Sequence, residues 1–119
     1  MQIAHEALAA LERYHLHLRQ LAVGRVDPEL YHQVSVDIQE VRRCCHAAPA
    51  LSGGWVGLLI AHAELSQALW RSAQPQGAPS AQERQRLLDK VAECVRALQE
   101  HCMELAGHPR GGAAAGSTH

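Results

Sequence analysis

Phenylalanine is absent from the 119 residues, and two Trp and two Tyr make up the whole aromatic complement. β-Branched and aromatic residues never cluster with period-two alternation, so nothing reads as a strand. Lysine is nearly absent too. Ten of the eleven basic residues are Arg and Lys90 is the one exception, against twelve acidic residues and a net charge of -1. With no basic block the electrostatic footprint of a nucleic-acid binder is missing, and no Lys-rich face suits anionic lipid. Long apolar runs are lacking as well: the most apolar stretch, residues 55–63, is far too short to span a bilayer. The start, Met1-Gln2-Ile3-Ala4-His5-Glu6, has neither the charge nor the apolar run of a secretion signal. The expected compartment is the cytoplasm. There the four cysteines would be thiols, and adjacent Cys44 and Cys45 give no disulfide framework. The strong preference for Arg, with abundant Ala and Gly, points to a GC-rich bacterial genome.

What is present favours helix. Hydrophobic residues form 47% of the chain, enough for one packed domain. Ala and Leu supply most of that bulk, and both lose little side-chain freedom on a helix. Breaks fall at Gly24-Arg25-Val26-Asp27-Pro28, at residues 49–54, at Gln74-Pro75-Gln76-Gly77-Ala78-Pro79-Ser80 and at Gly107. Asp27 before Pro28 is an N-cap followed by proline at the first helical position. Ser80 with Glu83 forms a capping box.

Between the breaks apolar residues recur at three and four. Ala4, Leu8, Leu11, His15, Leu18 and Ala22 mark the first stripe, widened by Ala7, Tyr14 and Leu21. Leu30, Val34, Ile38, Val41, Cys45 and Ala48 mark the second. Trp55, Leu58, His62, Leu65 and Leu69 mark the third, with Val56, Ile60 and Ala63 on a second face. Leu87, Leu88, Val91, Cys94, Val95, Leu98, Cys102 and Leu105 mark the fourth. The reading is all-α: an antiparallel up-down-up-down four-helix bundle over residues 1–106, with helices at about 2–23, 28–48, 53–73 and 80–106 and a disordered tail from 107 to 119. The third helix is apolar on the widest arc. It is expected to be the most buried, or to contact another chain.

Nine histidines make metal binding the first chemistry to weigh. Two Glu-x-x-His pairs, Glu12 with His15 and Glu29 with His32, have the spacing found on di-iron bundles. Counted from the first turn, however, they differ in level by roughly 7 Å, which reads as two surface pairs. Counting down from the turns places His15, Asp37 or Ile38, His62 and Val91 in one layer. The expected ligand set, if these histidines serve a metal or small ligand, is His15, Asp37 and His62, with Glu64 and Cys45 near by; zinc, iron or copper would suit it. The alternative is that each is a hydrogen-bonded core residue and no cofactor is involved. Cys94, Cys102, His101 and Cys45 could offer soft ligands, but the Cys-x-x-Cys spacing of structural zinc is missing, and so is that of haem attachment around Cys44-Cys45-His46.

Catalytic templates fail. Gly53-Gly54-x-x-Gly57 has no preceding strand and no P-loop lysine. There is no Gly-x-Ser-x-Gly elbow and no His-Glu-x-x-His helix. His62 lacks the Lys and Gly that usually follow a phosphotransfer histidine. Trp55 and Trp70 sit at opposite ends of the third helix, where each is expected to plug one end of the core. Trp70 with Arg71 is the better alternative anchor for a partner. The functional reading is a non-enzymatic helical interaction protein, an adaptor, chaperone-like factor or regulatory subunit. It would self-associate as a homodimer or bind another protein through Trp70, Arg71, Val56 and Ile60.

Overall fold

The computed structural model describes residues 2–23, 27–72, 74 and 76–107. Four helices, α1 (Gln2–Val23), α2 (Pro28–Ala47), α3 (Ser52–Ser72) and α4 (Ala81–Leu105), with one 3-10 turn at Pro49–Leu51, form an antiparallel bundle. No strand occurs among the described residues. The expected disordered tail falls on residues 108–119, outside the described residues.

The helix ends follow local chemistry. Asp27 accepts a hydrogen bond from the Glu29 backbone N–H at 3.0 Å, and Pro28 opens α2 without wasting a donor. Ser80 accepts from the Glu83 N–H at 3.0 Å and starts α4. Ala48 precedes Pro49, whose ring excludes the helical conformation there; Ala48 is extended (φ -127°, ψ 94°) and α2 stops. At the far end Gly107 takes φ +85° and donates to the Glu104 carbonyl at 3.1 Å. A side chain at that φ would be strained, which is why α4 ends on glycine.

Packing is closest between α1 and α2, α3 and α4, and α1 and α4, while α2 and α3 approach less closely. Alanine explains the first of these. Ala4, Ala7 and Ala10 are fully buried on α1 and let a neighbouring axis come near. One core joins all four helices: Leu11, Tyr14 and Leu18 from α1, Val34, Ile38 and Val41 from α2, Leu58 and Leu65 from α3, Val91, Val95 and Leu98 from α4, and Leu51 from the turn.

On α1 the stripe is rotated from its expected setting. The buried line runs Ala4-Ala7-Leu11-Tyr14-Leu18-Leu21, whereas Leu8, His15 and Ala22 are only half-buried. Both lines have helical spacing. The bulk of the tyrosine ring and its hydrogen bond to half-buried His62 decide in favour of Tyr14. A second correction concerns the tryptophans. Trp55 is buried, as a core plug should be, but Trp70 stands 62% exposed and plugs nothing.

Candidate functional site

The five candidate ligands lie in separate surroundings. His15 lines a groove of about 350 Å³ between α1 and α4, with Arg19, Gln85, Leu88 and Asp89 around it. Burial lowers its pKa, and nearby Arg19 and Arg96 add to the effect. Asp37, 2% exposed, turns instead to His17, whose Nδ1 lies 2.5 Å from Oδ2. Arg13 stands 4.0 Å from Oδ1 of the same carboxylate. His62 reaches across the core to Tyr14, with the phenol oxygen 2.7 Å from Nδ1. Glu64 is ion-paired with Lys90 of α4 at 2.8 Å. Cys45 is buried near Cys44 and Cys102, and burial pushes its thiol up to about 12.

Tyr14 of α1 meets His62 of α3, and His17 of α1 meets Asp37 of α2, as two separate cross-helix pairs. On α1 the residues that make these contacts are the neighbours of His15 rather than His15 itself. His17 and Tyr14 were missed as site residues, although Arg13 and His17 one turn apart on the flank of the stripe are a visible sign of a carboxylate opposite.

Among the described residues, three metal-capable side chains come together at Glu6, Glu40 and Cys44, with ligand atoms within 4.8 Å of one another. A cation is already there. Arg43 places Nη2 2.6 Å from Glu6 Oε1, 2.6 Å from Glu40 Oε2 and 3.7 Å from Cys44 Sγ. The guanidinium answers both carboxylates, and hydrogen bonding to it lowers the Glu40 pKa. The cluster is a tie between α1 and α2.

The outer face of α3 is different in kind. Val56, Leu59 and Ile60 are 53, 44 and 53% exposed, and Trp70 is 62% exposed. With Ala63 and Gln67, both exposed, they fall at helical spacing on one face. The opposite face, Leu58, Ala61, Leu65 and Ala68, is buried in the core. α3 is therefore apolar on both sides. Glu64 is the one acidic or basic residue between positions 52 and 70, and it is turned toward Lys90 on α4. Arg71 follows at the C-terminal end, where Trp70, Arg71, Gln74 and Gln76 line a shallow depression of about 370 Å³. Arg71 Nε is buried without a hydrogen-bond partner among the described residues. Other large exposed apolar residues, Leu16 on α1 and Val36 on α2, do not form such a row.

Among the described residues, no helix is long and apolar enough to cross a membrane. No protein-family model, curated protein or solved structure matches this chain.

Proposed function

We propose that this protein works by binding another protein chain through the outer face of α3, as an adaptor, chaperone-like factor or regulatory subunit in the cytoplasm of a bacterial cell. One observation carries the reading. Val56, Leu59 and Ile60, with Trp70 further along and Ala63 and Gln67 between them, leave an uncharged and mainly apolar strip roughly 21 Å long in solvent, on a helix whose other side already fills the core. Isolated exposed hydrophobic residues are ordinary on a monomer, but contiguous rows mark interaction sites. A tryptophan at one end adds the residue type most enriched among binding hot spots. The dispersal of His15, Asp37, His62, Glu64 and Cys45 favours this reading over a histidine-based metal or ligand site.

The test is site-specific photo-cross-linking in the cell that makes the protein. A cross-linker at position 60 should yield protein adducts, this chain included, that mass spectrometry identifies. One at Arg42, exposed on α2, should not. Trp70→Ala in the same chain should suppress the adducts at position 60. Equal yields from both positions, or none from either, would overturn the proposal.

A further inference from the structure

The partner that the α3 face fits is a second copy of this chain, and we infer that two copies pair through antiparallel α3 helices with Ala63 at the two-fold axis. This rests on the reading of α3 as the docking face and adds the occupant and its orientation.

The first argument is area. From their exposures, Val56, Leu59, Ile60 and Trp70 offer on the order of 400 Å² per copy, so they supply the apolar centre of a face that needs roughly 800 Å² from each partner, and flanking residues must supply the rest. Ser52, Gly53, Ala63 and Gln67 lie on the same exposed side and extend the patch. The second concerns the stretch that follows α4. Residues 106–119, which follow α4, include no Leu, Ile, Val, Met or aromatic residue with which to cover such a row.

The third argument is the order of side-chain sizes. Val56, Ala63 and Trp70 are spaced by seven, and Leu59 and Ile60 fall between the first two. Ala63 is the midpoint and the smallest, so two axes can approach most closely there. In an antiparallel pair each Trp70 lies level with the other copy's Val56. Beside Val56 stand Ser52 and Gly53, and a Cβ added to Gly53 would meet nothing within 4 Å. The bulky indole then faces the least crowded end of the helix. A parallel pair would instead set Trp70 against Trp70 and Val56 against Val56, wedging one end apart and leaving a gap at the other. Glu64, next to the axis, is paired with Lys90 of its own chain, which offsets the charge that each copy brings beside the seam. Each copy presents the same patch to the other, as a closed two-fold dimer requires.

The experiment uses the full chain. Sedimentation velocity should show a dimer at tens of micromolar, and Trp70→Ala and Ile60→Glu should each weaken it by more than about tenfold. Circular dichroism should report unchanged helix content, since both side chains are exposed. Ala63→Cys tests the orientation. Under oxidation it should give a disulfide-linked dimer, because residues at the axis come within the 4.4–6.8 Å Cα separation a disulfide spans. Val56→Cys should not, since its two copies would lie roughly 21 Å apart. Efficient linking through position 56 but not 63 overturns the antiparallel pairing. A wild-type monomer at every concentration overturns self-association; if position 60 still cross-links to other proteins, the docking reading stands without it, and if not, both fall.

Discussion

Tyr14 and His62, forty-eight residues apart in sequence, hold α1 and α3 together by a hydrogen bond of 2.7 Å across the core. Burial, with Cys94 adding to it, drives the Tyr14 pKa well above its ordinary value, so the hydroxyl keeps its proton. Burial lowers the His62 pKa, so the ring is neutral. The phenol therefore donates to Nδ1, which places the imidazole hydrogen on Nε2, 3.4 Å from the Ser66 hydroxyl. The histidine serves as a satisfied polar link inside an apolar core.

Tyr14→Phe would keep the ring and remove the donor. His62 Nδ1 is then left without its partner in a largely dry site, which costs about 1–3 kcal/mol. Urea unfolding of the variant should show that loss with little change in slope. Wild-type stability in Tyr14→Phe would mean the bond contributes nothing.

Mild acid should weaken the fold through two histidines. His62 and His15 both have folded pKa values below the ordinary 6.5, in each case chiefly because burial disfavours the charged ring. A lowered value means the unfolded chain takes up the proton first. Their contribution is therefore complete above pH 6.5 and is lost as pH falls from there through the folded values. Denaturation midpoints should drop as pH falls below 6.5, and His62→Gln, which can still accept from Tyr14, should flatten that drop. A flat profile in the wild type would contradict the assignment.

Two adjacent glycines should respond with opposite signs to alanine. At Gly53 an added Cβ meets open space, so Gly53→Ala gains helix propensity of up to about 1 kcal/mol. At Gly54 the Cβ would sit 2.6 Å from Leu98 Cδ2 and 3.0 Å from its Cγ, and Leu98 is buried. Overpacking of that kind costs about 1–3 kcal/mol, more than the propensity returns. Thermal melts of Gly53→Ala and Gly54→Ala, compared under dissociating conditions, decide the matter.

The buried carboxylate of Asp37 should be worth more than any exposed ion pair. Asp37→Ala deprives His17 and Gln33 of their acceptor and removes the carboxylate that faces Arg13. The loss should be about 1.5–3 kcal/mol, the range for a hydrogen bond to a charged group. Removing Glu83, which pairs with Arg86 in solvent, should cost well under about 1 kcal/mol. Similar losses for the two would refute the contrast.

Thiol labelling should sort the four cysteines by burial. Cys45 and Cys102 are pushed up to about 12 and about 11, and burial is the first cause in both. Only the thiolate reacts, so both should be slow until the chain unfolds. Cys94 is half-exposed and should label first. The same shifts make stability complete below the ordinary thiol value of 9.0 and progressively lost as pH rises through 11. Mass-resolved alkylation at mildly alkaline pH separates the sites, and early labelling of Cys45 or Cys102 would count against the packing.

Local chemistry alone determined the helices. Caps at Asp27 and Ser80, prolines at 28 and 49 and a glycine at 107 act within a turn of their own position, so no tertiary information is needed to read them. Axial level was legible too, because a rise of about 1.5 Å per residue can be counted from the turns. Counted that way, positions near 15 on α1 and 62 on α3 come to similar heights, and Tyr14 does reach His62. Facing was not legible. Each step along a helix rotates a side chain by about 100°, so an error of one residue between His15 and Tyr14 turns a core position into a groove position. Packing against α2, α3 and α4 settled it, and with it the pairing of Asp37 with His17. On α3 the ambiguity was complete. Both Leu58-Ala61-Leu65 and Val56-Ile60-Trp70 read as apolar faces, and only the docking of α4 against the first, close enough to bring Gly54 onto Leu98, left the second in water.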